Sequence, residues 1–271
     1  MTIELDKVSI GYEKAAILSN ISLSFESGQF YCLLGANGIG KTTLFKSILG
    51  FIPVLSGQVR IDGKPIRSIS PKALSEYLAY VPQAKNNAYD MNVLEVVVMG
   101  RARFIKKFSQ PSPDDYAVAN GVLERLKIKK LTRKKYSELS GGEQQIVLIA
   151  RALVQDAKYI IMDEPASNLD FENQKKVLKC LKQLSGYGLG VILSSHSPDH
   201  AIFCDTKVIM IGKDKQIRVG SIEETLTDQN LKAVYGVDIQ LISGITPDGK
   251  PLRSCCLVND SHHDLMEQKG R

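Results

Sequence analysis

Residues 35–42 read Gly-Ala-Asn-Gly-Ile-Gly-Lys-Thr and match the pattern G-x-x-x-x-G-K-[ST]. The short apolar run 29–34 before this segment is typical of a buried strand, and the pattern at 41–49 predicts a helix. Glycines let successive backbone N–H groups turn inward, and the helix presents its positive N-terminus to the same place. The order strand, glycine-rich loop, helix therefore predicts a polyphosphate-binding loop within an α/β fold, and a chance glycine-rich turn is disfavoured by these flanks.

Two side chains of the loop are expected to act directly on the bound group. The Lys41 ammonium would reach the β- and γ-phosphates, and the Thr42 hydroxyl would ligate Mg²⁺. The remaining residues would bind the phosphates mainly through their backbone. The predicted binding set in this segment is Gly35, Ala36, Asn37, Gly38, Ile39, Gly40, Lys41, Thr42 and Thr43.

Two carboxylates follow the apolar run 159–162, and a histidine follows a later one. Asp163 is placed to hold Mg²⁺ through water, and Glu164 to polarise an attacking water. Most such acidic pairs are merely solvated strand ends, but after a phosphate-binding loop the functional interpretation is favoured. His196 would lie at the carboxyl edge of the sheet, where such folds bind ligands, and is expected to contact the γ-phosphate. His200 has no such context and is expected at the surface.

Apolar strands that alternate with helices predict a parallel sheet covered on both faces. The predicted strands lie at 2–10, 21–25, 29–34, 59–61, 159–162 and 191–194. The predicted helices lie at 41–49, 92–99, 113–127, 141–154 and 172–184, and residues 84–136 are expected to be mainly helical. Ser112 before Pro113 is a good N-cap, and Ile146, Ile149 and Leu153 are expected to form the buried face of their helix.

The C-terminal part of the chain has a different pattern. The turn Thr246-Pro247-Asp248-Gly249 between apolar runs at 239–242 and 252–257 predicts a terminal hairpin. The polar end, 261–271, is expected to fray. The adjacent His262 and His263 are not expected to bind metal, because no other ligand stands at a recognisable spacing.

Composition limits the class of protein. The chain has 271 residues, is 44% hydrophobic and carries a net charge of +6, which suits a globular protein. Trp is absent and basic residues do not alternate with aromatic ones, so a nucleic-acid binder is disfavoured. The basic run 127–135 is interpreted as a solvated face, with phosphate or lipid binding as the alternative. Five cysteines without a C-x-x-C pair favour a reducing compartment. No apolar run approaches the roughly 20 residues of a membrane helix, so action at a membrane would need a partner.

The segment Leu139-Ser140-Gly141-Gly142-Glu143 resembles the signature of ABC ATPases. Together with the phosphate-binding loop and Asp163-Glu164, it identifies residues 2–235 as similar to that family. The resemblance implies an α/β P-loop NTPase with a RecA-like parallel-sheet core, an N-terminal antiparallel β subdomain and a helical signature subdomain. The implied ATPase domain is 1–236, with the helical subdomain inserted at about 84–155. The hairpin and frayed tail occupy 237–271.

The resemblance also implies roles for residues that the pattern alone does not explain. Tyr12 resembles the aromatic residue that stacks on adenine. Gln83 resembles the glutamine that touches Mg²⁺ and senses the membrane partner. Ser167 and Asp170 lie in a segment like the D-loop, and His196 resembles the switch histidine.

Ser140, Gly141 and Gly142 would cap the γ-phosphate held by a second subunit, so the resemblance implies a homodimer with two ATP molecules. The sequence departs from the family pattern at Glu143, where Gln is commoner. A carboxylate there is expected to weaken phosphate binding slightly unless it points away. Asn168, where Ala is frequent, is expected to be tolerated.

Residues 93–101, Val-Leu-Glu-Val-Val-Val-Met-Gly-Arg, and Val234-Tyr235-Gly236-Val237 resemble importers of metal chelates: siderophores, haem, cobalamin and oxyanions such as molybdate. This resemblance implies ATP with Mg²⁺, permease subunits, an extracytoplasmic substrate-binding protein and a place on the cytoplasmic face of the membrane. The alternatives are an exporter subunit or a non-transport ABC ATPase of DNA repair or translation, although tandem cassettes and long insertions are missing. A binding-only regulator is disfavoured because Glu164 and His196 are present.

Overall fold

A computed structural model describes residues 1–13, 15–83, 90–106, 109–185 and 188–258. The strands are β1 Thr2–Tyr12, β2 Ala15–Glu26, β3 Phe30–Gly35, β4 Ser56–Ile61, β5 Lys64–Pro65, β6 Leu78–Val81, β7 Tyr159–Met162, β8 Gly190–Ser195, β9 Lys207–Ile211, β10 Ile217–Gly220, β11 Ile239–Ile245 and β12 Pro251–Leu257. The α-helices are α1 Lys41–Ile48, α2 Pro71–Tyr77, α3 Val93–Val98, α4 Pro113–Arg125, α5 Gly141–Leu153, α6 Phe171–Ser185, α7 Pro198–Cys204, α8 Ile222–Thr225 and α9 Asp228–Tyr235.

The central sheet has six strands in the order β10-β9-β3-β8-β7-β6. All neighbouring strands are parallel except β10, which pairs antiparallel with β9 at one edge. In β3, Cys32 and Leu34 enter one core cluster, while Tyr31 and Leu33 enter another on the opposite face. The predicted parallel sheet with two covered faces is therefore confirmed. Because carboxyl ends of parallel strands meet at one edge, the ends of β3, β7 and β8 lie together.

The N-terminal sheet is antiparallel, with the order β2-β1-β4-β5. Ile3 of β1 and Phe45 of α1 share one core cluster with Leu33 of the central sheet. The Tyr159 hydroxyl ties the sheets together, because it lies 2.8 Å from the Met1 carbonyl oxygen and 2.9 Å from that of Phe25 and shares its one proton between them. The three predicted strands that belong to this sheet, 2–10, 21–25 and 59–61, are present as β1, β2 and β4, and each is longer than predicted.

The region that follows β6 is built from α3, α4 and α5. Ser112 caps α4 as predicted, and the Asp115 carboxylate accepts a hydrogen bond from the Ser112 amide. The predicted helix is present as α5, and its burial extends beyond one face: the six residues 145–150 are all buried, and Leu153 is half-buried. Helices α3 and α4 pack on α5 from one side and α6 from another, so more than one stripe of the helix is covered. The predicted helical residues 84–89 lie outside the described residues.

The predicted C-terminal hairpin is present as β11 and β12, with Ile239 opposite Leu257. The Asp199 carboxylate, at the start of α7, accepts bonds from the Cys255 amide at 2.9 Å and the Ser254 hydroxyl at 3.1 Å. This contact fixes the hairpin to the helix that follows His196. The predicted frayed tail, with His262 and His263, lies outside the described residues. Within the described ranges, no helix has the length and apolar character needed to span a membrane.

Candidate active site

The Lys41 side chain is held inside the glycine-rich loop. Its ammonium donates to the carbonyl oxygens of Gly35 at 2.7 Å and Ala36 at 3.2 Å. The Glu164 carboxylate lies 3.1 Å from the same nitrogen, and only 5% of the Lys41 side chain is exposed. A buried ammonium is tolerated because it is paired. An arriving phosphate would therefore meet a positive charge already fixed at the loop.

The backbone of the loop requires glycine where it turns into α1. Gly40 has φ 118°, and a Cβ there would lie 2.9 Å from Cγ2 of Ile17. A Cβ on Gly38 would meet no atom within 4 Å, so this side of the loop is open to an approaching ligand. Ile17 belongs to β2, which pairs with β1, and β1 ends at the half-exposed Tyr12. The loop thus has an accessible backbone, as a polyphosphate cradle needs.

Asp163, at the end of β7, is fixed by hydroxyl groups from two other elements. Thr42 of α1 donates to one carboxylate oxygen at 2.6 Å, and Ser194 of β8 donates to the other at 2.7 Å. Asp163 and Ser194 are both buried. The strand ends therefore bring the loop and the predicted metal carboxylate into direct contact.

Glu164 contacts the two other predicted catalytic groups. One carboxylate oxygen lies 3.1 Å from the Lys41 ammonium, and the other lies 3.2 Å from Nδ1 of His196. The Glu164 backbone has φ 46°, a value that non-glycine residues rarely adopt, and its amide donates to Ser194 Oγ at 2.9 Å. Strain of this kind persists only where neighbouring contacts impose it, and here Ser194 holds both the Glu164 amide and the Asp163 carboxylate.

The pocket at this edge of the sheet has a volume of about 500 Å³. Gln83 extends into it and donates from Nε2 to Ser167 Oγ at 3.2 Å, while Ser167 donates to the Glu164 carbonyl at 2.9 Å. The described residues that line the pocket are Asn37, Gly38, Gly40, Lys41, Thr42, Thr43, Gln83, Glu164, Ser167, Asn168 and His196. Asp170 is outside this lining; it is exposed and accepts a bond from the Asn173 amide at 2.8 Å.

The donor set at the pocket suits Mg²⁺. The Thr42 hydroxyl, the Asp163 carboxylate and the Gln83 amide supply oxygen atoms, which are the ligands that Mg²⁺ prefers. Among the described residues, no group of three or more His, Cys, Asp or Glu side chains is arranged to hold a metal alone. Such a sparse set fits an ion that takes its other ligands from phosphate and water, as Mg²⁺ does with nucleotides.

The signature residues lie apart from this pocket. Ser140 is exposed and caps α5, Leu139 is buried, and none of residues 139–143 is among the described lining residues. A Cβ on Gly142 would lie 2.5 Å from Oδ1 of Asn173 in α6, so this glycine is required for close packing. The Glu143 carboxylate does not point away from the helix end: it accepts bonds from the Ser140 amide and hydroxyl, both at 3.0 Å.

The surface prediction for His200 is wrong. The residue is buried, with 8% of its area exposed, and its Nδ1 lies 2.8 Å from the Ser195 hydroxyl. Burial lowers the pKa of His200, and nearby His196 acts in the same direction. Sequence reasoning also missed Ser194, which bridges Asp163 and the Glu164 amide. A serine that follows an apolar run was the only sequence signal for it.

Comparison with known proteins agrees with this geometry. A family model described as ABC transporter matches residues 18–167. The chain belongs to the ABC transporter family. It is 39% identical to an ABC transporter ATP-binding protein of Haemophilus influenzae, across 89% of this chain and 92% of that protein.

Two further similar proteins are named for the transport of metal compounds. The hemin import ATP-binding protein HmuV of Bordetella avium is 34% identical, across 89% of this chain and 95% of that protein. A solved structure described as a metal-chelate type ABC transporter in an inward-facing conformation superposes with a TM-score of 0.85 at 26% identity. It covers 96% of this chain and 98% of that chain.

Proposed function

We propose that this chain binds and hydrolyses ATP to power import through a membrane permease. The observation that carries the proposal is that Lys41, Thr42, Glu164 and His196 line one pocket, with the buried Asp163 carboxylate bonded to Thr42 beside it. The pocket joins a phosphate cradle, an oxygen donor set for Mg²⁺ and a carboxylate that is placed to orient water.

The chain's own residues supply the steps of hydrolysis. Lys41 and the loop amides hold the β- and γ-phosphates, and Thr42, Gln83 and Asp163 would hold Mg²⁺, which neutralises charge on the phosphates when it is bound. When the Lys41 ammonium binds phosphate, its contact with Glu164 is broken. The freed Glu164 oxygen can then accept a proton from the attacking water. His196 holds the other oxygen of Glu164 through Nδ1–H, and its Nε2 would donate to the γ-phosphate when the ring carries both protons.

We propose that two copies close head to tail, since the signature lies outside the chain's own pocket. In that dimer, Ser140, Gly141 and Gly142 of one copy would cap the γ-phosphate held by the other. Ser140 begins an α-helix, whose N-terminal amides favour an anion. Within each copy, residues 1–236 would form the ATPase domain with an inserted helical part at about 84–155. Residues 237–271 would form its C-terminal appendage.

The proposed partner is a permease seated in a groove of about 1370 Å³ beside the helical part. Phe51 and Met99 both line this groove, and they are 61% and 44% exposed. Exposed apolar side chains in a groove of this size indicate a protein-binding surface. The location would be the cytoplasmic face of the membrane, reached through the permease. The relatives named for hemin import and for a metal chelate support a metal chelate as cargo. From the sequence resemblance alone, an oxyanion is the alternative, and an extracytoplasmic binding protein would deliver either cargo.

Two variants test the ATPase assignment. Glu164→Gln keeps the shape of the side chain but removes the base, so it should bind ATP, form a stable ATP-bound dimer and lose hydrolysis. Lys41→Ala should lose ATP binding. Wild-type turnover in Glu164→Gln, measured as phosphate release, would contradict the role of the base. Wild-type nucleotide affinity in Lys41→Ala would contradict the cradle.

A third variant tests the groove. Met99→Glu should abolish co-purification of a polytopic permease from membranes and should leave ATP binding by the isolated chain unchanged. Val118→Glu is a matched control, because Val118 is also exposed and helical but lies outside the groove lining. Equal loss of the permease in both variants, or in neither, would contradict the docking surface. A soluble protein, ribosome or DNA in place of the permease would contradict the transport assignment.

A further inference from the structure

In the signature helix α5, a carboxylate is hydrogen-bonded to the groups that would bind the γ-phosphate held by a second copy. The Glu143 carboxylate accepts a bond from the Ser140 hydroxyl and another from the Ser140 amide, each at 3.0 Å. The Glu143 amide donates back to the Ser140 hydroxyl at 3.4 Å. The side chain of Glu143 therefore occupies the N-terminus of α5.

A serine hydroxyl has one proton to donate. In the described contacts, the Ser140 proton is directed at Glu143, whereas capping of a γ-phosphate requires that it be directed outward. A carboxylate is a stronger acceptor than an amide oxygen, and hydrogen bonds to ionised acceptors are roughly twice as strong as neutral ones. A glutamine at the same position would keep the cap but would hold the proton less tightly.

The surroundings stabilise the ionised carboxylate. The Ser140 amide lowers the pKa of Glu143, and Lys134 and Lys130 act in the same direction. Glu143 thus carries a full negative charge at neutral pH, next to the place where the phosphate of a second copy would dock.

We propose that Glu143 competes within the chain for the Ser140 hydroxyl proton and thereby sets the ATP concentration at which two copies close. The inference rests on the proposed function, since it requires the signature to cap the partner's γ-phosphate. The competition raises the ATP requirement at both composite sites of the dimer. The conformation with Glu143 on Ser140 is the resting state of the signature, and release of that contact accompanies closure.

The test compares two isosteric substitutions in a Glu164→Gln parent. Glu143→Gln should lower the ATP concentration for half-maximal dimer formation, measured by sedimentation, by roughly three- to tenfold. Glu224→Gln is the matched control. Glu224 forms the same type of capping box with Ser221, in which the Ser221 amide donates at 2.7 Å, but it lies in α8. This variant should leave the half-maximal concentration unchanged.

A second measurement separates this role from a structural one. With the catalytic Glu164 in place, Glu143→Gln should lower KM for ATP and leave kcat within about twofold, whereas a defect of the fold would reduce kcat. The inference would be overturned, and the proposed function left standing, by either of two results. One is the same half-maximal ATP concentration in Glu143→Gln as in its parent, and the other is a decrease in Glu224→Gln as large as that in Glu143→Gln. A Glu164→Gln parent that forms no dimer with ATP would overturn the proposed function together with it.

Discussion

Removal of the Ser194 hydroxyl should damage catalysis through Asp163 and Glu164, which it connects. In Ser194→Ala, Asp163 loses a buried bond of 2.7 Å, and the Glu164 amide loses its acceptor at 2.9 Å. A hydrogen bond to a charged group contributes about 1.5–3 kcal/mol, and an unpaired buried amide costs about 1–3 kcal/mol. Since the two losses share one atom and water partly replaces it, we expect the free energy of unfolding to fall by about 2–4 kcal/mol.

The effect on turnover follows from the position of Glu164. Its backbone conformation, with φ 46°, depends on the bond to Ser194. A loss of about 1.4 kcal/mol in alignment of the base is a tenfold loss in rate, so kcat should fall at least roughly tenfold. KM for ATP should change little, because the contacts of Lys41 with the loop are unaffected.

Steady-state phosphate release and urea unfolding of the same preparation measure both quantities. Ser195→Ala is the matched control: Ser195 is also buried, but its hydroxyl contacts His200 at 2.8 Å and the Ser197 amide at 2.9 Å instead of Asp163. It should lose stability by about 1–3 kcal/mol and keep kcat within roughly threefold. A Ser194→Ala protein with wild-type kcat, or equal losses of kcat in both variants, would refute the reasoning.

Three further predictions concern parts of the fold that support the site. Because the pKa of His200 is lowered in the folded state, the unfolded chain binds the proton first as pH falls, so the stability that neutral His200 contributes is present above pH 6.5 and is lost below it. In His200→Gln, the free energy of unfolding in urea should therefore depend less on pH between 7.5 and 5.5. An unchanged pH dependence would count against burial of His200. Asp199→Ala removes the acceptor of the Cys255 amide and should speed proteolysis of the C-terminal hairpin at least severalfold, whereas Asp199→Asn should restore much of the protection. Gly190→Ala would place a Cβ 2.3 Å from the Tyr159 ring and should lower the unfolding free energy by about 2–3 kcal/mol in urea titrations, with a value near zero opposing the packing.

The parts of the site that sequence predicted are those encoded by contiguous motifs or by a single topological rule. The glycine-rich loop is one continuous segment, so Lys41 and Thr42 follow from local spacing. The positions of Asp163 and His196 could be predicted from the parallel arrangement of their strands alone, because the carboxyl ends of parallel strands meet at one edge. The contacts of Ser194 could be predicted only from the register of β7 against β8, in which Met162 lies opposite Leu193. Nothing in the local pattern fixes that register.

Burial of individual side chains was harder to predict where several elements meet. His200 lies in the first turn of a short helix and directly follows Asp199, and this polar helix start favours exposure. Its burial comes from the packing of α7 against β3 and α6, elements that are far apart in the chain. The complete burial of residues 145–150 has the same origin, since helices cover α5 on more than one side. Periodicity detects one apolar stripe and carries no information on a second neighbour.

The signature shows how two local rules can act on the same four residues. Ser140 and Glu143 match the capping-box pattern, in which a serine is followed three residues later by an acid, so helix stability alone accounts for their contact. The proposed anion-binding role of Ser140 would need the same hydroxyl and amide to be available to phosphate. In that role, the stability of the isolated subunit and the affinity of the composite site would oppose each other at Glu143. A glutamine would satisfy the cap without adding a charge, which is why this one substitution separates the two effects.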